Sequence, residues 1–189
     1  MQTYISHLQK SLPLAYLYLV ILGILKESLF YHYFDINILH FSGLMDIIIS
    51  PIGDLIQYPI LGISVILFLF LVFGWWHLHD SGKIKQFKFL KAGNKSIDLS
   101  QVTIIIGIGL LTFFAGVGMG AGKKTADNMR QQKLSISHHL TNALGETKEI
   151  HLIGSNSLHY FYVEKGTAYV QITPLNNVVK LGVNGAKQQ

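Results

Sequence analysis

The sequence predicts an α-helical membrane protein with three transmembrane helices, an amphipathic or re-entrant helix between spans one and two, and a small C-terminal antiparallel β domain of SH3-like kind. Three observations carry this reading. Half of the 189 residues are apolar and 13% are charged, at a mean hydropathy of +0.38, which leaves too little polar surface to cover a core in water. Three apolar runs are long enough to cross a bilayer. Past residue 124, short β-branched and aromatic runs alternate with Gly, Asn, Ser and Pro, the pattern of strands and turns.

The spans follow in order. Residues 12–34 form the first, with Ser11 as the expected N-cap, Pro13 in the first turn and a Tyr/Phe/His cluster at the far end. Residues 58–79 form the second, bounded by Tyr58 and by Trp75 and Trp76; its 22 residues would cover about 33 Å as a helix. Residues 101–122 form the third, which stops at Lys123 and Lys124. None reads as a cleaved signal peptide, because the basic start is weak and no A-x-A site follows the first span. Residues 1–124 thus make a membrane domain, 125–132 a linker or helical extension and 133–189 the β domain.

Lysines near the span ends set the expected orientation. Lys10 with Lys83, Lys85, Lys88, Lys91 and Lys95 on one side outnumber Lys123, Lys124, Arg130 and Lys133 on the other by six to four. The N-terminus is therefore expected in the cytoplasm and the β domain outside it. The net charge is +5, and its largest cluster is the loop 80–100, where Lys83, Lys85, Lys88 and Lys91 alternate with Ile84, Phe87, Phe89 and Leu90. That mixture suits membrane lipid or a cytoplasmic protein partner, and no direct nucleic-acid binding is expected. The simpler reading is a loop that only sets topology.

Between spans one and two, Asn37, His40, Gly43, Asp46, Ser50, Asp54 and Gln57 recur at intervals of three or four among apolar residues. This predicts a helix over 37–57 with a narrow polar stripe. Two readings fit it: a re-entrant or pore-lining segment with His40, Asp46 and Asp54 facing water, or a helix lying on the outer leaflet and bent at Pro51 and Pro59. Span three carries two stripes of glycine, Gly109, Gly116 and Gly120 on one face and Gly107, Gly118 and Gly122 on another. Small residues allow helix backbones to approach closely, so two such faces predict neighbours on two sides and a homo-oligomer. Lys26 and Glu27 lie beyond the midpoint of span one. Either they form a functional intramembrane pair, or Lys26 snorkels from a helix whose apolar run has ended.

In the β domain, strands are expected at 134–140, 149–153, 158–164, 167–173 and 178–183. Motifs of catalysis fail on inspection. The run from Gly116 to Thr125 lacks the glycine and Ser/Thr spacing of a phosphate loop and ends a membrane helix instead of leaving a strand. Gly53 and Asp54 resemble half of an aspartyl protease dyad with no second half. The absence of cysteine removes disulfides, thiolate metal sites and thiol catalysis. Among nine histidines, His77 and His79 diverge on a helix, and the adjacent His138 and His139 face oppositely on a strand. Only His151 and His159 are placed to meet across a hairpin, giving two ligands of a usual four. Neither enzyme activity, cofactor nor metal is expected.

Residues 31–38 (YHYFDINI), followed by the helix start at Phe41 to Asp46, resemble the outer end of the first span in small bacterial inner-membrane proteins. Residues 153–161 (IGSNSLHYF) and 172–178 (ITPLNNV) resemble their C-terminal β-rich module. The resemblance implies a bacterial multi-span protein without an enzymatic site. In size and layout the chain also resembles membrane subunits of anti-phage systems of the Kiwa type, from which no functional residue is carried over. The expected function is a non-enzymatic sensor or anchor subunit in an oligomeric complex, in stress or phage defence. The alternative is a channel or small transporter lined by His40, Asp46 and Asp54.

Overall fold

The computed structural model describes residues 2–80 and 99–183. Four helices, α1 (Gln2–His32), α2 (Leu44–Gln57), α3 (Pro59–Asp80) and α4 (Leu99–Arg130), precede five strands. These are β1 (His138–Asn142), β2 (Thr147–Ser155), β3 (His159–Glu164), β4 (Gln171–Pro174) and β5 (Val178–Val183). Within α1, α3 and α4, the segments Leu12–His32, Pro59–His77 and Ser100–Arg130 are long and apolar enough to cross a membrane. Ile60, Ile66 and Phe70 of α3 are each at least 68% exposed, an apolar surface that hydrocarbon, not water, would cover.

Several boundaries differ from the sequence expectation. Ser11 does not cap the first span, because α1 runs continuously from Gln2 through Pro13. Proline is tolerated inside long membrane helices where neighbouring groups satisfy the freed carbonyl. The amphipathic segment 37–57 is not one helix. A 3₁₀ turn at Ile38–His40, capped by the Asn37 side chain on Leu39 N–H, is followed by a break before α2 starts at Leu44. Residues 125–130 continue α4, and the helix ends where Gln132 takes a left-handed φ of 53°. The first strand starts at His138, four residues later than expected, and β4 starts only at Gln171 and runs to Pro174 instead of spanning 167–173. The lysines at 83, 85, 88, 91 and 95 lie outside the described residues.

Two compact units make up the chain. The first takes in α1, the 3₁₀ turn, α2 as far as Ser50, α4 from Ala115 and the sheet; the second covers Pro51–Phe114. In the first unit the sheet is antiparallel, ordered β4-β3-β2-β1-β5, with a 3₁₀ turn at Leu175–Asn177 before the last strand. Strand β3 is buried on both faces, as its period of two requires. Phe161 and Val163 join a core with Tyr31, Phe34, Ile38, Ala126 and Met129, while Tyr162 joins Leu140 and Ile150 on the opposite face. Strand β2 slips register between Leu152 and Gly154, and the glycine there leaves room for the Tyr31 hydroxyl, which an added Cβ would strike.

The helices of this unit pack through glycine. A Cβ on Gly118 would sit 2.5 Å from the Lys26 carbonyl oxygen, and one on Gly122 would sit 2.6 Å from that of Phe30. Contacts advancing four residues along both helices mean that α1 and α4 run parallel, with the sheet at their C-terminal ends. Gly23 does the same for α2, since a Cβ there would overlap the Ile47 carbonyl.

In the second unit, α3 and the first half of α4 meet where the Phe68 ring covers Gly109, leaving no room for a Cβ. Val102 and Phe114 of α4 are buried as well. Ser64 and Thr112 turn their hydroxyls back onto the Ile60 and Ile108 carbonyls at 2.8 and 2.9 Å, hiding them from an apolar surround.

Candidate functional site

Ionisable groups part-way along a membrane helix are costly unless paired, and Lys26 and Glu27 are paired. Lys26 Nζ lies 2.7 Å from Glu27 Oε1 and donates to Ser50 Oγ at 2.8 Å. The Ser50 hydroxyl in turn donates to Glu27 Oε1. The side chains of Lys26 and Glu27 are 11% and 16% exposed, so the triad is largely withdrawn from its surroundings. Local sequence explains the enclosure. Gly23 brings the α2 backbone against α1 one turn before Glu27, and Gly118 brings α4 against the Lys26 carbonyl. The arrangement is a polar latch joining α1 to α2, with one formal charge of each sign.

A second polar seam joins the same helices to the sheet. Asp46, in the first turn of α2, accepts from Gly43 N–H at 3.0 Å in the manner of a capping box. Its carboxylate also accepts from Ser157 N–H at 3.1 Å and from Ser157 Oγ at 2.8 Å. Beside it, Asn156 Nδ2 donates to the Phe41 carbonyl at 3.0 Å and to Ser42 Oγ at 3.1 Å. The Asn156 Oδ1 accepts from Leu158 and His159 N–H, holding the β2–β3 turn. His159 Nδ1 donates to the same Phe41 carbonyl at 3.1 Å, which fixes its tautomer. Three ring contacts, Tyr31–Phe161, Phe41–Phe161 and Phe41–His159, fill the apolar side of the seam.

The stripe residues have different surroundings. His40 is exposed at the end of the 3₁₀ turn, Asp46 is engaged by Ser157, and Asp54 lies on α2 within the second unit. The glycines separate too. Gly118 and Gly122 are buried against α1 of the same chain and Gly109 is half-buried beneath Phe68, whereas Gly116 and Gly120 are exposed with open space beyond them. Gly107, also on α4, is half-buried. The face assigned to a neighbouring subunit through Gly118 and Gly122 is thus occupied from within.

His151 and His159 do not meet, because His151 is opposite Val163 in the β2–β3 register. His151 instead donates from Nδ1 to the Ser135 carbonyl at 2.6 Å, while burial, helped by the nearby His151, lowers the His138 pKa. Among the described residues no three His, Asp, Glu or Cys side chains gather to hold a metal. Sequence reasoning missed Gly23, Ser50, Asn156 and Ser157 as partners. A lone glycine inside an apolar span and a turn written Gly-Ser-Asn-Ser were the available signals.

Comparison with protein-family models, curated proteins and solved structures returns no match. Fold and site place the chain in a broad class: its three apolar helices fit a multi-pass membrane protein, with a C-terminal antiparallel sheet packed on the ends of two of them.

Proposed function

We propose that this chain is a non-enzymatic bacterial inner-membrane subunit that acts as a sensor, coupling a β module outside the cytoplasm to a polar latch inside the membrane. The observation that carries the reading is the shared core: Phe161 and Val163 of the sheet pack with Tyr31, Phe34, Ala126 and Met129 of α1 and α4. A module held only as cargo would hang from a linker, whereas here α4 continues into that core without a break. The N-in orientation rests on the lysine majority, and the parallel course of α1 and α4 agrees with an odd number of crossings. Strand order and the 3₁₀ turn before β5 support the SH3-like reading of the module. Oligomerisation is retained through the exposed Gly116 and Gly120 face, and a cytoplasmic partner through the lysine loop. A channel lined by the stripe is supported less well, since Asp46 already serves Gly43 and Ser157.

Hydrogen exchange of the protein in lipid nanodiscs tests the coupling. Lys26→Met is expected to raise amide exchange in β3 as well as in α1. Exchange in β3 that stays unchanged while α1 loosens would make the module an independent passenger and end the sensor reading.

A further inference from the structure

Where span one ends, a surface pocket of about 400 Å³ is lined by Ser28, His32, Asp35, Ile36, Asn37 and Ile38. A volume of that order suits a small organic group better than a bare ion. Its polar groups differ from those of the latch and the seam. Lys26, Glu27, Ser50, Asp46, Asn156 and His159 all have protein partners, whereas the Ser28 hydroxyl, the His32 ring nitrogens and the Asp35 carboxylate have no hydrogen-bond or ion-pair partner among the described residues. Asn37 spends its Oδ1 on Leu39 N–H, which leaves its NH₂ as a donor.

Electrostatics select the ligand. Among the described residues Asp35 is the one carboxylate on the lining and no Lys or Arg lines it, and α1 ends at His32 with the negative end of its dipole toward the pocket. Asp35 also holds a left-handed φ of 58°, a conformation that only Gly, Asn and Asp adopt with ease. Depth selects the source. Ser28 belongs to the apolar segment Leu12–His32, while Asp35 and Asn37 lie beyond it, so the pocket straddles the level at which lipid headgroups sit.

We propose that this pocket binds the headgroup of an aminophospholipid, its primary ammonium on Asp35 and its phosphodiester near the Asn37 amide. A primary ammonium offers three N–H donors to the carboxylate, the imidazole and the serine oxygen. A choline headgroup offers none, so the site discriminates phosphatidylethanolamine from phosphatidylcholine. The site does not depend on the sensor reading.

The test uses the full chain, extracted in mild detergent from vesicles holding equal phosphatidylethanolamine and phosphatidylcholine, with bound lipid counted by native mass spectrometry. Wild-type protein is expected to retain phosphatidylethanolamine preferentially, and Asp35→Asn to lower that retention about tenfold, the effect of losing one charge-assisted hydrogen bond. Asparagine accepts the same left-handed backbone, so the variant keeps the fold; an unchanged circular dichroism melt verifies this. Asp127→Asn, which removes a carboxylate from α4, is expected to retain lipid as the wild type does. Equal retention of the two lipids, or undiminished retention by Asp35→Asn, overturns the proposal. Displacement of the bound lipid by free glycerophosphoethanolamine would assign the pocket to a soluble ammonium and overturn the lipid assignment.

Discussion

The rings of Tyr31 and Phe161 lie with centroids 4.9 Å apart, joining the last turn of α1 to a strand 130 residues later in the chain. Phe161 is fully buried and Tyr31 nearly so, and the Tyr31 hydroxyl reaches the glycine at the β2 bulge. One side chain thus touches both the helix that carries the ion pair and the sheet that would face the stimulus. Phe161→Ala is expected to cost about 3–5 kcal/mol through the cavity it leaves. Thermal melts of the solubilised protein should show it, with protection from exchange falling in α1 as well as in β3.

Glycine substitutions separate the two faces of α4. Leucine at Gly118 would collide with the Lys26 backbone, so Gly118→Leu is expected to lower the melting temperature and to force α1 and α4 apart. Leucine at Gly116 meets open space within the chain, and Gly116→Leu should leave the melt unchanged. If Gly116 and Gly120 meet a second copy, Gly116→Leu will instead shift the assembly to smaller size in detergent gel filtration. An unaltered elution volume would remove that interface.

Breaking the latch from one side leaves a charge without its partner. Lys26→Met or Glu27→Gln alone is expected to destabilise by about 3–5 kcal/mol, while the double variant recovers most of the loss because no unpaired charge is left. A double-mutant cycle on thermal stability reads this, and strictly additive effects would show that the pair is not coupled.

Acid should weaken the sheet through Glu164. Its carboxyl is held below the ordinary range first by the hydrogen bond from Lys148 and then by that from Gln171, against the opposing effect of burial. A depressed folded-state pKa stabilises fully above the unfolded value, about 4.3, and the contribution is lost as pH falls through the lower folded value. His138 acts with the same sign in a different window. Its lowered pKa means that the unfolded chain takes up the proton first, so stability falls as pH drops below about 6.5. Glu164→Gln is expected to flatten the acid limb of a stability-against-pH curve, and His138→Asn the limb near neutrality.

Much of the membrane part was legible because its signal is local. Apolar runs of bilayer length mark α1, α3 and α4 whatever packs against them, and Pro59 and Tyr58 mark the start of α3. The five strand runs were readable from β-branched and aromatic content between turn residues such as Gly145 and Gly166, both of which adopt positive φ. Lys26 and Glu27 stood out because charge is rare at such depth.

What the sequence determined by itself was this list of elements and the presence of an ionisable pair. Only tertiary structure decided what each polar residue meets. Periodicity reports that Asp46 and Ser50 share a helix face with other polar residues, but their partners, Ser157 and Lys26, lie 111 and 24 residues away in sequence. The two glycine stripes are equivalent as sequence patterns, and only packing set Gly118 and Gly122 against α1 while leaving Gly116 and Gly120 open. The physical reason is common to all of these. Hydropathy depends on a residue's own transfer free energy, whereas a hydrogen bond or a close backbone approach depends on two segments whose proximity is fixed by the fold of everything between them.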